Sequence, residues 1–344
     1  MAAAKGLQSD HGKIAILALS AGGLELGKHL AAHLPAELHP CKGQLRERFH
    51  TLWQSHDALI CIMASGVVVR CIAPFLQDKH QDPAVLVLDE RGQFVISLLS
   101  GHVGGANALS QRVANLTGGQ AVITTASDVL GLTALDLWCA SLGLQVADKK
   151  QFTRAMGRLV DQGFLHLWSE PAPPPLPPDI RLSTRQETAD LLISFRQLPH
   201  SQSQAALLHP RALAIGIGCN RGTSRKDIAE AVSATLAQHK LAPQSVARLA
   251  SIDLKADEPG LLAYSAEKEL PLEFFSKDQL NQVEDIQYSE AAFRATGARG
   301  VAEPAALLAA GPGARLLVPK IKWPNVTVAV ASVNSVAWPS PASK

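Results

Sequence analysis

The sequence has no apolar run approaching the ~18–20 residues that span a bilayer. Residues 1–12 carry no apolar segment of the kind a secretory signal has. A cytoplasmic protein without a membrane partner is therefore expected. Cysteine is sparse: Cys41, Cys61, Cys71, Cys139 and Cys219, an odd number with no C-x-x-C pair. That speaks against a disulfide framework and for buried thiols in a reducing compartment. Charge of either sign is nearly balanced at +2. A nucleic-acid binder usually needs a concentrated basic stripe, so no nucleic-acid partner is expected. A local cluster of charge could still attract a small polyanion.

Several motifs are missing too. No turn reads G-x-G-x-x-G, and no Lys follows Gly222, so neither a dinucleotide fingerprint nor a Walker phosphate loop is present. There is no G-x-S-x-G elbow and no H-E-x-x-H. Elbow-type serine hydrolases and zinc proteases lose their support.

What is present is a chain of 344 residues, 47% hydrophobic, long enough for two or three domains. Residues 13–19 form an apolar run that ends in Ser20-Ala21-Gly22-Gly23, and helical spacing follows from 24 to 34. The unit recurs: a strand at 57–63, the turn Ala64-Ser65-Gly66, a helix at 67–76. Strands at 84–88 and 94–99 flank the turn Asp89-Glu90-Arg91-Gly92. Ser100-Gly101-His102 leads into a helix through 113, followed by a strand at 120–124 and a helix at 132–142. Strands apolar throughout, alternating with helices, imply an α/β fold: open, mostly parallel sheets with helices on both faces.

Residues 146–207 are less regular, and the proline run at 171–178 reads as a surface loop. Ser201-Gln202-Ser203-Gln204 reads as a linker. A second α/β pattern follows: strands at 212–217, 248–254, 271–275, 316–319 and 327–330, with helices at 225–239 and 303–310. The expected organisation is an N-terminal α/β domain at 1–145, a middle region at 146–206, and a smaller C-terminal α/β domain at 207–344. No sequence repeat of 20–50 residues is visible.

Three glycine-bearing turns join a strand to a helix: 64–66, 100–107 and 216–224. In parallel sheets such turns lie at the carboxyl edge, where ligands bind, and helix N-termini suit phosphate or carboxylate. The alternative is close helix–sheet packing without a ligand. His102 sits in such a turn and titrates near neutrality, which suits proton transfer, or it merely shapes the loop. Arg70 and Arg221 can grip carboxylates in bidentate fashion, or form ion pairs within a domain. Asp128 can orient His102 or cap its own turn. Asp78, Lys79 and Asp82 read as loop solvation and Glu90 as a hairpin residue. Cys219 and Ser100 are weak candidates for a nucleophile, lacking a partner and an elbow.

These stretches have an order. Ile62-Met63-Ala64-Ser65-Gly66-Val67-Val68-Val69-Arg70, Ile72-Ala73-Pro74, Asp78-Lys79, Asp82-Pro83-Ala84-Val85 and Asp89-Glu90 with Gly92 come first. Then come Phe94-Val95-Ile96-Ser97-Leu98-Leu99-Ser100-Gly101-His102-Val103-Gly104-Gly105-Ala106-Asn107 and Thr124-Thr125-Ala126-Ser127-Asp128. The second half carries Gly216-Ile217-Gly218-Cys219-Asn220-Arg221-Gly222-Thr223-Ser224, the stretch from Val301 to Gly311, and Val318-Pro319-Lys320. In this order they resemble the CbiG family of cobalamin biosynthesis. Ser127 stands where that family more often has Thr, and Asn220 where a second Arg is common.

The resemblance implies hydrolysis in anaerobic cobalamin synthesis. The δ-lactone of cobalt-precorrin-5A is opened and a two-carbon fragment leaves as acetaldehyde, giving cobalt-precorrin-5B. The partner is then a cobalt-corrinoid small molecule. The cobalt belongs to the substrate, so no cofactor and no protein-held metal are expected. A homodimer and transient contacts with neighbouring pathway enzymes are compatible with this reading. The lactone carbonyl needs an activated water and donors for an oxyanion. His102 is the expected base, Asp128 its orienting partner, and the Val103, Gly104 and Gly105 backbone N–H groups the donors. Substrate-binding candidates are Ser65, Gly66, Arg70, Ser100, Gly101 and Asn107. In the second half they are Gly218, Arg221, Gly222, Thr223, Ser224 and Lys320. Arg70, Arg221 and Lys320 are the expected carboxylate anchors across a cleft between domains. The C-terminal domain also resembles a stand-alone protein of the aerobic route. Two alternatives remain: a non-catalytic tetrapyrrole carrier, and a methyltransferase of the same pathway, which would need S-adenosylmethionine.

Overall fold

The computed structural model describes residues 12–78, 81–198, 204–333 and 338. The reading of Lys79, most of the linker tract at 201–204, and the first eleven residues lie outside them. The chain divides into two compact units, Met1–Trp138 and Cys139–Lys344.

In the first unit, β1 (Ile14–Ala18), β2 (Ala36–Pro40), β3 (Ala58–Ile62), β4 (Ala84–Leu88), β5 (Phe94–Leu99) and β6 (Gln120–Val122) form one sheet in the order β2-β1-β3-β4-β5-β6. Every residue of β1, β3 and β4 is buried, which is why each reads as a continuous apolar run. Two core clusters take alternate residues of these strands. Ile14, Ile16, Ile60 and Leu86 face one layer of helices, and Ala15, Leu17, Leu59 and Val85 face the other. The helix after β3 spans Ser65–Ile72. It tightens into a 3₁₀ turn, Ala73–Phe75, because Pro74 has no N–H for the α ladder. Edge strand β2 and the helix Leu45–Ser55 were not anticipated.

Strands β1 to β4 are parallel, β4 and β5 are antiparallel, and β5 and β6 are again parallel. The β4–β5 hairpin is closed by Asp89, whose carboxylate accepts from Arg91 N at 2.9 Å and Phe94 N at 2.7 Å, with Gly92 at φ +65°. This reversal overturns one expectation. The turn after β3 lies at the carboxyl edge of the parallel strands. The turn after β5 lies at their amino edge, where the Ser100 hydroxyl donates to the Asp82 carbonyl, 3.0 Å away, just ahead of β4. A five-residue strand separates the two edges by roughly 16 Å, so these turns do not open into one pocket.

In the second unit, β7 (Gln145–Val146), β8 (Leu165–Ser169), β9 (Ile180–Leu182), β10 (Leu191–Ile193) and β11 (Ala206–His209) form a sheet ordered β7-β11-β10-β8-β9. The stretch that reads as irregular is thus built on short strands and the helix Lys149–Gln162, capped by Asp148. The proline run is the connection from β8 to β9 and has neither helix nor strand. A third sheet holds β12 (Leu213–Cys219), β13 (Val246–Ile252), β14 (Leu272–Phe275), β15 (Arg315–Lys322) and β16 (Val326–Ser332), ordered β14-β13-β12-β16-β15. Gly216 lets the helix Ala302–Ala310 lie directly on β12: a Cβ there would fall 1.8 Å from the Ala302 carbonyl oxygen. The chain has the expected α/β class, with mostly parallel sheets and flanking helices. Among the described residues no helix is long and apolar enough to cross a membrane.

Candidate active site

The turn at 100–107 is held by its own backbone. Gly105 N–H donates to the His102 carbonyl at 2.9 Å, Ala106 N–H to Ser100 at 3.1 Å, and Asn107 N–H to Gly101 at 2.9 Å. Gly105 adopts φ +84° and caps the helix Ala106–Thr117. Gly104 packs on Ser100, where a Cβ would lie 2.4 Å from the Ser100 Cβ. Ser100 itself sits at φ +58°, a conformation that strains a non-glycine residue by ~1–3 kcal/mol. Such strain persists only where surroundings over-determine it.

This turn sets His102 between two carboxylates. Its Nε2 is 2.8 Å from Asp128 Oδ2 and its Nδ1 is 3.3 Å from Asp136 Oδ1. Ser127 Oγ lies 3.3 Å from the same Nε2. Asp128 is held from a second side: Asn107 Nδ2 donates to Asp128 Oδ2 at 2.9 Å and to Thr125 Oγ1 at 3.1 Å, while Ser97 Oγ donates to Asn107 Oδ1 at 2.7 Å. Strands β5 and β6 end at the same edge, which is why the residues that follow them meet. The Asp128 side chain is 40% exposed, that of His102 15% and that of Asp136 9%. Solvent therefore reaches the group through Asp128.

The His102 pKa is raised, chiefly by its bond to Asp136 and further by the bond to Asp128, with burial opposing both. With each ring nitrogen directed at a carboxylate, His102 points no lone pair at a water. The expected role of His102 as the base therefore does not fit this geometry. Asp128, the exposed acceptor, fits it better. Asp136 was not anticipated, because it lies in Leu135–Ser141, a helix whose apolar spacing reads as core. Its signal was a single acid in the first turn of that helix. Gly105 is also withdrawn from the donor set, since its N–H is spent on His102. Val103 and Gly104 remain of the three expected donors.

Ser65, Gly66 and Arg70 lie at the opposite sheet edge. Ser65 lines a cavity of about 370 Å³ with Asp89 and Glu90. Arg70 lines another of about 530 Å³, and its Nη1 donates to the Gly66 carbonyl at 2.8 Å. Ser100 and Gly101 shape the His102 turn, as Asn107 does. Asp82 accepts from Gln77 N–H through both oxygens at 3.1 Å and closes its own loop.

In the second unit, Gly218 lies within β12, paired with Thr327, and Gly222, Thr223 and Ser224 form the turn at the carboxyl end of that strand. Thr223 Oγ1 donates to the Asn220 carbonyl at 2.8 Å, and Ser224 caps the helix Arg225–Gln238. The Arg221 guanidinium pairs with Asp257 and donates to the Leu254 carbonyl at 2.8 Å, which is the intradomain ion-pair alternative. The turn rests on buried Glu258, which was not anticipated. It accepts from Gly222 N–H at 2.8 Å and Lys255 Nζ at 3.2 Å. Lys320 Nζ donates to the Gln287 carbonyl at 2.9 Å, and burial lowers its pKa. It ties β15 to that segment, a structural duty in place of the expected free anchor. Burial pushes the Cys219 thiol up, against a nucleophilic role.

An α/β chain with this site matches two family descriptions in order: Cobalamin synthesis G N-terminal over residues 47–128 and Cobalamin synthesis G C-terminus over residues 213–331. Cobalt-precorrin-5A hydrolase of Priestia megaterium is 37% identical over 309 residues, covering 85% of this chain and 82% of that protein. The protein of that name from Salmonella typhimurium is 33% identical over 329 residues, covering 86% and 91%. Protein CobE of Sinorhizobium is 34% identical over 137 residues, covering 39% of this chain and 89% of that one. The chain belongs to the cobalamin synthesis G family.

Proposed function

We propose that the chain hydrolyses cobalt-precorrin-5A, opening its δ-lactone with release of acetaldehyde to give cobalt-precorrin-5B. Two relatives of that name, aligned over more than four-fifths of each partner, support the activity. The observation that carries the chemistry is His102 held between Asp128 and Asp136 on a rigid glycine turn.

In this reading Asp128 takes a proton from water as the water oxygen attacks the lactone carbonyl. The Val103 and Gly104 N–H groups receive the oxyanion. Collapse of the tetrahedral adduct breaks the ring C–O bond; the freed alkoxide then becomes the carbonyl of acetaldehyde as its C–C bond to the macrocycle breaks, and the macrocycle carbon takes the proton that Asp128 drew from water. A protonated His102 stabilises the developing anions. Arg221, 61% exposed, exchanges Asp257 for a peripheral substrate carboxylate. Cobalt enters only as part of the substrate, no other cofactor is drawn on, and the reaction belongs to the cytoplasm.

The test is anaerobic incubation with cobalt-precorrin-5A while acetaldehyde is measured. Wild type releases it, and Asp128→Asn slows release by ~10²–10⁴, the usual worth of a general base. Tight binding of the precursor with no acetaldehyde from wild type refutes hydrolysis in favour of a carrier.

A further inference from the structure

Away from the His102 site, on the far edge of the first sheet, three side chains converge without an explanation from the hydrolytic chemistry. Glu37 and His39 are two residues apart on edge strand β2 and so share a face. Their β1 partners are Ala15 and Leu17, on the face covered by Phe49 and Leu52 of the helix Leu45–Ser55. His56 follows that helix as its C-cap.

Glu37 Oε2 lies 3.7 Å from His39 Nε2 and 3.8 Å from His56 Nε2. All three ligand atoms fall within 4.8 Å of one another. These separations are too long for hydrogen bonds. Both Nε2 atoms are buried and have no hydrogen-bond partner. Buried polar atoms are nearly always partnered, so each such orphan asks for an explanation. The His56 side chain is only 7% exposed and that of Glu37 is 68% exposed, so the cluster is walled by protein on one side and open on the other. The other nitrogen of His56, Nδ1, is 2.9 Å from Ser55 Oγ. That is the outer contact that fixes a ligating imidazole and aims its free nitrogen. Burial is the largest influence on His39 and lowers its pKa; His56 and Arg48 lower it further and Glu37 opposes them. A neutral imidazole is the form that ligates a metal.

We infer that Glu37, His39 and His56 form a binding site for one divalent transition-metal ion of the zinc class. Ligands about 2.0–2.2 Å from zinc lie about 3.3–3.6 Å apart in a tetrahedron, a small contraction from the Glu37–His39 and Glu37–His56 separations. Two imidazoles and one carboxylate suit zinc and its neighbours better than calcium or magnesium. The C-terminal end of the helix Leu45–Ser55 adds a favourable partial negative charge. The fourth position is left to water. The ion pins the edge strand to the end of its covering helix. No short metal motif announces the site, because its ligands are spread over twenty residues. It contradicts the expectation that the protein holds no metal, and it is independent of the hydrolytic reading.

The experiment strips the full-length chain with a chelator and titrates Zn²⁺ by calorimetry. Co²⁺ is titrated in parallel, and its visible absorption reports the coordination geometry. Wild type binds one Zn²⁺ per chain. His39→Gln, His56→Gln and the exposed Glu37→Gln each weaken binding by more than the ~10–100-fold lost on removing an outer partner, and Ser55→Ala weakens it by about that amount. His33→Gln, on another helix, leaves it unchanged. Circular dichroism of each metal-free variant checks the fold. If a histidine variant unfolds, Glu37→Gln and Ser55→Ala decide. Absence of Zn²⁺ binding by wild type, or equal binding by wild type and folded His56→Gln or Glu37→Gln, overturns the inference.

Discussion

Asn107 Nδ2 donates to the same oxygen of Asp128, Oδ2, that faces His102 Nε2, at 2.9 Å and 2.8 Å respectively. One carboxylate oxygen is thereby spent on two donors from a single turn, and the other oxygen is left for chemistry. The helix N-terminus that carries Asn107 fixes the direction of Asp128. Asn107 is accordingly a positioning residue, although its place in a glycine turn suggests contact with substrate.

Asn107→Asp puts a carboxylate where Asp128 now receives a donor. Acetaldehyde release should fall by ~10²-fold through misplacement, with KM little changed. Asn107→Ala should fall less, because it removes a bond without adding repulsion. Steady-state kinetics of the two variants check the order. A rise in KM at constant kcat would instead make Asn107 a substrate contact.

The raised pKa of His102 makes a prediction for stability. Its folded pKa lies above the ordinary value of 6.5, so its pairing with Asp136 and Asp128 contributes fully below that value. The contribution is lost as pH rises through the folded pKa. The gap in melting temperature between wild type and His102→Gln should therefore be widest below pH 6.5 and narrow as pH rises above it. Asp136→Asn should shift the His102 titration downward in NMR, since its bond is the largest cause of the rise. A gap that is flat across this range would mean that His102 is not charged by its neighbours.

Gly104 has no room for a side chain. A Cβ there would sit 2.4 Å from the Ser100 Cβ and 2.7 Å from the Ser100 carbonyl oxygen, which itself accepts from Ala106 N–H. Gly104→Ala should destabilise the protein by ~1–3 kcal/mol, the usual range for overpacking, and should lower activity further by moving His102. Urea denaturation and acetaldehyde release measured together check this. Gly118→Ala serves as the comparison: unlike Gly104 it has positive φ, but it has open space around it, and should leave activity intact.

The strands buried on both faces were legible because burial leaves no polar position to blur the run: β1, β3, β4 and β12 read at once. Strand β2, with Glu37 and His39 inside it, carries polar residues on an edge and was passed over. Strands β9 and β10 have three residues each, too few to show a period. The pairing of His102 with Asp128 was legible from two turns following strands. The edge on which they meet was implied by the hairpin at Asp89 to Gly92, since each antiparallel step sends the next turn to the opposite end of the sheet. Asp136, Glu258 and His56 were not legible, because each is one polar residue at a helix end. Only the fold shows what such residues face.

Arg221 and Glu258 should separate binding from stability in the second unit. Arg221 is exposed and its partner Asp257 still more so, at 61% and 72%, so solvent screens the pair and it adds little to stability. Arg221→Ala should leave the melting temperature nearly unchanged and raise KM for the cobalt substrate. Glu258 is 1% exposed and holds Gly222 N–H, Lys255 and the edge of Arg221. Glu258→Ala leaves the partly buried Lys255 ammonium and a backbone donor without their buried acceptor, and should cost about 3–5 kcal/mol in urea denaturation. Equal stabilities of the two variants would show that the turn does not rest on Glu258. An unchanged KM in Arg221→Ala would confine its guanidinium to the ion pair with Asp257.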